Sequence, residues 1–188
     1  LGGILAGSLS RRARSAGELL RQMADDAVDG ARGNSGAILA QFLQGVGEVA
    51  AAQTVLSPQC VAQAALAGSR QARGALAEPR EGTILSVIRA FADALQAQAS
   101  SGMRNWREGF GAALDRARVA LADTPRQLAV LRQAGVVDAG AQGFVDLLEG
   151  IQEFIDTGHE GDIVASDIPL EFAGAHLHEE VDPGQRWC

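Results

Sequence analysis

The chain has 188 residues, 47% of them hydrophobic, and a formal net charge of −7, enough for one ordinary core. All 16 basic residues are arginine, which excludes a lysine-bearing phosphate loop, a kinase that sets a lysine on the phosphates, and Schiff-base chemistry. The charge is uneven: residues 153–188 carry nine carboxylates against one arginine, and residues 1–152 carry fourteen against fifteen. With 4% aromatic residues and a near-neutral body, the chain offers no basic, stacking surface for nucleic acid.

No apolar run approaches the roughly 18 residues that cross a bilayer, so no membrane span is expected. In the opening LGGILAGSLSRRARS the basic cluster follows the apolar run, the wrong order for a signal peptide. Cys60 and Cys188 form neither a disulfide framework nor a CxxC pair, and reduced thiols in a cytoplasmic protein are expected.

Helical periodicity governs most of the chain. Leu20, Met23 and Ala27 stripe a first helix over roughly residues 14–28. Leu39, Phe42, Leu43 and Val46 mark a second. Ser57-Pro58 reads as an N-cap followed by proline at the first helical position, opening an alanine-rich helix to about Leu76. Ile84, Val87, Ile88, Phe91 and Leu95 form the clearest amphipathic stripe. Trp106, Phe110, Ala113, Ala117 and Leu121 form another, and Thr124-Pro125 repeats the Ser-Pro start signal. Phe144, Leu147, Leu148, Ile151 and Ile155 close the series. The expected fold is all-α: six or seven helices with short connections, a bundle spanning residues 1–157. Residues 158–188 lack a period and read as an acidic, irregular connector to a further domain. The abrupt start and the ending RWC lead us to expect a piece of a longer polypeptide.

Three helix starts carry the candidate chemistry. A helix N-terminus exposes backbone N–H groups and the positive end of the macrodipole, and glycine lets a phosphate approach the backbone closely. GARGNSG, residues 30–36, supplies Gly33 and Gly36 with Asn34 and Ser35 as donors or caps and Arg32 as a charge partner. AEPREGTIL, residues 77–85, brings Gly82 and Thr83 to the head of the best amphipathic helix. AGVVDAGAQGF, residues 134–144, brings Asp138, Gly140 and Gly143 to the last one. Each start alone reads equally as a plain capped helix. Three together point to an anion site at one end of the bundle. His176 and His178 lack a third ligand at metal spacing, Asp25, Asp26 and Asp29 read as a solvated helix end, and no metal-ligand set is evident.

DGARGNSGAILAQFLQG, AEPREGTILSVIRAFADAL and TPRQLAVLRQAGVVDAGAQGFVDLLEG occur in the order in which they stand in a known family. Over about residues 1–157 the chain resembles the ATP-binding domain of bacterial fatty acid kinase, which is related to the L subunit of dihydroxyacetone kinase. The resemblance implies a barrel of antiparallel helices with ATP at one end. It implies that Gly33, Asn34, Ser35 and Gly36 hold phosphates, that Gly82 and Thr83 line the nucleotide site, and that Asp138, Ala139 and Gly140 border it, with Pro125 near the adenine. The implied activity is phosphorylation of the carboxylate of a fatty acid presented by a separate carrier protein, and a homodimer is compatible with it. Two alternatives stay open: a dihydroxyacetone kinase-type nucleotide-binding subunit, and a non-catalytic helical regulatory or interaction domain. The family holds magnesium on an aspartate-rich loop, DGDTG in pattern, N-terminal to the region seen here. This sequence lacks that loop, so no magnesium ligand and no general base can be named from it.

Overall fold

The computed structural model describes residues 13–103 and 105–158. Of the segment expected to be a connector, residues 159–188 lie outside the described residues, together with His176, His178 and Cys188. Among the described residues seven helices follow one another: α1 (Ala16–Gly30), α2 (Gly33–Ala50), α3 (Pro58–Gly74), α4 (Ile84–Ser100), α5 (Trp106–Gln127), the short α6 (Ala129–Ala134) and α7 (Ala139–Thr157). There is no strand among the described residues, so the all-α expectation holds.

Five of the helices start on a side-chain cap. Ser15, Ser57, Thr83, Asn105 and Asp138 accept from the N–H of Glu18, Cys60, Leu85, Arg107 and Ala141, each satisfying a donor that has no partner within its helix. The Ser57-Pro58 start is as expected. The Thr124-Pro125 start is not: α5 runs through both residues and ends at Gln127. Proline at 125 removes the N–H that the Leu121 carbonyl would accept four residues back. The Thr124 hydroxyl donates to that same carbonyl at 2.8 Å. The helix therefore continues past the proline with the orphaned acceptor satisfied.

Each long helix packs against its sequence neighbours, and α7 closes back onto α4 and α5. Small residues bring backbones together. A Cβ on Gly45 of α2 would stand 2.7 Å from the Cα of Gly68 in α3. The core centres on four rings: Phe144 meets Phe42 and Phe91 edge-on at centroid distances of 5.5 and 6.1 Å, and Phe91 meets Phe110 at 5.4 Å. Phe144, Val87, Ile88 and Leu95 are fully buried. The up-and-down order gathers the starts of α2, α4 and α7 at one end of the bundle, beside the ends of α3 and α5. At the other end, Gly17 N–H at the start of α1 donates to the Gln53 carbonyl after α2, and Arg107 at the start of α5 pairs with Asp156 at the end of α7.

Candidate functional site

At the end where α2, α4 and α7 begin lies a cavity of about 530 Å³. Asn34 and Ser35 line it from α2, Thr83 from the head of α4 and Asp138 from the head of α7. Ile38, Leu76, Ile84 and Leu85 form its apolar floor, and Glu78 and Arg80 stand at its rim. Four of the nine residues singled out in the sequence thus face one cavity. The other five, Gly33, Gly36, Gly82, Ala139 and Gly140, belong to the backbone of the same three helix starts.

The three starts are not equivalent. Thr83 is committed to its own turn: its hydroxyl donates to the Arg80 carbonyl at 2.8 Å and accepts from Leu85 N–H at 3.3 Å. Asp138 Oδ1 accepts from Ala141 N–H at 2.8 Å. At α2 the N-cap is Arg32, whose side chain makes no cap bond. Its guanidinium turns back to the carbonyls of Asp29 and Ala31 instead. The first-turn N–H groups of α2 therefore carry no side-chain cap, and no acidic residue stands in that turn. Gly33 enters at φ +66°, a conformation that costs glycine least. Of the three, this start is the one whose donors and dipole face solvent unanswered.

The approach between walls is close. A Cβ on Gly140 would collide with the Ser35 side chain, so glycine there lets α7 meet α2. Gly82, at φ +79°, presses on the last turn of α5, where a Cβ would lie 2.7 Å from Cβ of Gln127 and 3.2 Å from the Thr124 carbonyl. Two buried hydroxyls sit behind these walls. Thr124 Oγ1 accepts from Asp138 N–H at 3.1 Å. Ser86 Oγ accepts from Gly82 N–H at 2.9 Å and donates to Glu81 Oε2 at 2.6 Å. Glu81 also pairs with Arg73 at 2.9 Å and Arg89 at 3.0 Å, joining α3, the 77–83 loop and α4. The Ser86 hydrogen bond, aided by the two guanidinium groups, holds the Glu81 carboxyl below its ordinary range.

Sequence reasoning missed Arg80, Ser86 and Thr124. For Ser86 a signal existed: it stands three residues after the N-cap Thr83, where a capping-box side chain reaches back toward the cap. Pro125, expected near the adenine, lies in the last turn of α5 beside Thr124 and is not among the residues lining the cavity. Gly143 lines a different cavity, an apolar one of about 450 Å³ inside the bundle, with Phe42, Phe91, Phe144 and Ile151. A larger hollow of about 720 Å³ runs along the outer faces of α4 and α5, and its Arg89 and Arg126 are already engaged by Glu81 and Asp123.

The end cavity can accept an anionic group at its mouth, on the α2 donors with Arg80 alongside, and an apolar or aromatic body on its floor. Magnesium is a different matter. Among the described residues no three His, Cys, Asp or Glu side chains gather to hold a metal ion. The described residues do not fit a magnesium site.

An up-and-down helical bundle with a polar cavity among its helix starts defines a class of domain, and residues 4–153 match the model of the DAK2 domain. The chain belongs to the DAK2 domain family. It is similar to an uncharacterized protein of Staphylococcus saprophyticus, 32% identical over 166 residues that cover 88% of this chain and 29% of that protein. It is also similar to an uncharacterized protein of Staphylococcus aureus strain USA300, 30% identical over 171 residues covering 90% of this chain and 30% of that protein. The chain thus spans less than a third of the length of these relatives. No described helix is long and apolar enough to cross a membrane.

Proposed function

We propose that the chain is the nucleotide-binding domain of a cytoplasmic kinase that phosphorylates the carboxylate of a fatty acid presented by a separate carrier protein. The observation that carries this reading is the convergence of the uncapped α2 start, Thr83 and Asp138 on one cavity. The backbone N–H groups of Gly33 and Gly36, with the side chains of Asn34 and Ser35, receive the phosphates of ATP, and Arg80 adds a positive charge at the rim. Gly82 and Thr83 from one side, and Asp138, Ala139 and Gly140 from another, confine the nucleotide. In the reaction a carboxylate oxygen attacks the γ-phosphorus. An O–P bond forms as the bond from that phosphorus to its bridging oxygen breaks, giving an acyl phosphate and ADP. Such transfer relies mostly on positioning and charge neutralisation, which suits a protein without lysine.

Titration of the full chain with ATP in magnesium buffer tests the site. The unsubstituted protein should bind, and Asn34→Ala with Ser35→Ala should bind at least about tenfold more weakly. Equal affinity in the double variant sinks the assignment.

Membership of the DAK2 domain family supports a second reading equally well. In it the nucleotide stays bound as a cofactor, and phosphate from a phosphotransferase partner reaches dihydroxyacetone on another subunit. Pull-down with a fatty-acid carrier and with a dihydroxyacetone-binding subunit separates the two. Absence of any nucleotide binding would leave a helical interaction domain.

A further inference from the structure

Among the described residues, Ser86 and Thr124 are the buried polar side chains of the core. A buried hydroxyl is retained at a cost unless both its donor and its acceptor capacity are used, and here both are. What they hold is specific. Ser86 takes the N–H of Gly82, next to the cavity-lining Thr83, and Thr124 takes the N–H of the cavity-lining Asp138. The two sites also meet, because Gly82 packs on the Thr124 carbonyl and on Gln127 in the same turn of α5. We infer that Ser86 and Thr124 are positioning residues that fix the spacing between the α4 and α7 walls of the end cavity.

The inference rests on the nucleotide reading for its functional consequence and on geometry for the rest. Thr124 acts through Asp138, whose backbone it holds while the Asp138 carboxylate caps α7. Ser86 acts through Gly82, whose φ of +79° is one that residues with a side chain rarely adopt. In turn Ser86 is steadied by Glu81, which Arg73 and Arg89 hold from two helices. One carboxylate and two hydroxyls thus govern two of the three walls, while the third, at α2, has no side-chain cap.

Thr124→Val keeps the shape and deletes the hydroxyl, Thr124→Ser restores it, and Ser86→Ala serves as an independent variant. Two readouts are taken on the full chain well below its melting temperature. The first is amide hydrogen exchange; the second is affinity for ATP in magnesium buffer. Thr124→Val should speed exchange at Asp138, and Ser86→Ala at Gly82, with the central α4 amides unchanged. Both variants should bind ATP about five- to tenfold more weakly, and Thr124→Ser should recover the affinity. Folded Thr124→Val with native exchange at Asp138, or with native ATP affinity, overturns the inference. So does uniform loosening of every helix in both variants, which marks a purely structural role. If the unsubstituted chain does not bind ATP, the nucleotide reading falls, and the exchange data alone decide whether these hydroxyls set the walls.

Discussion

The apolar cavity is lined from all six long helices and the end cavity from the starts of α2, α4 and α7, and their walls differ in kind. Inside, Phe42, Phe91 and Phe144 meet across the bundle, and the lining is almost wholly apolar side chain. At the end, the walls are backbone turns held by Thr83, Asp138, Ser86 and Thr124. An apolar lining answers to volume, because packing free energy follows buried area and void size. A wall of backbone turns answers to hydrogen bonds a few tenths of an ångström long or short. One region should therefore govern stability and the other recognition.

The sharpest way to break that division is Phe144→Ala. The ring is fully buried, so truncation should cost about 3–5 kcal/mol in urea unfolding, while ATP affinity of the folded fraction stays within about twofold. A large loss of affinity without loss of stability would contradict the comparison. Gly140→Ala tests the opposite end. The added methyl meets the Ser35 side chain and forces α7 from α2. Calorimetric titration should show ATP binding weakened about tenfold or more, with about 1–3 kcal/mol lost in stability. Arg80→Ala is expected to weaken ATP binding by about threefold and to flatten its dependence on salt, with an unaltered melting temperature.

The smallest effect concerns Glu81. Its folded carboxyl titrates below the ordinary value of 4.5, so its contribution to stability is present above that pH and fades as pH falls through the lowered value. Melting curves of the unsubstituted protein and Glu81→Gln should differ modestly near neutrality and converge at acid pH. The group is partly exposed, so solvent limits the difference.

The helices were legible because one repeated signal, apolar residues at helical spacing, coincides with what the core requires. The stripe Ile84, Val87, Ile88, Phe91 and Leu95 is buried along its whole length. The cavity was legible in outline because glycine beside a polar residue marks a helix start, and three such starts converge. Thr124 was not legible. Threonine before proline writes the same two letters at the beginning of a helix and in its last turn. Only the location of the Leu121 carbonyl and of Asp138 N–H distinguishes the two. Arg80 was hidden for a similar reason. Nothing local separates it from the arginines that pair with carboxylates on the outer surface, such as Arg118 with Glu149.

The alternation of helix direction has a further consequence for how a charged ligand arrives. Because α1, α3 and α5 end where α2, α4 and α7 begin, their axial dipoles oppose one another and leave little field beyond the mouth of the cavity. Of the formal charge of −7, the excess lies in residues 153–188, and residues 1–152 are near neutral. A polyanion in solution thus meets no strong long-range attraction from the body and is drawn in only over the last few ångströms, where individual N–H groups are resolved. Ionic strength should then change the rate of encounter little, in contrast to electrostatic steering.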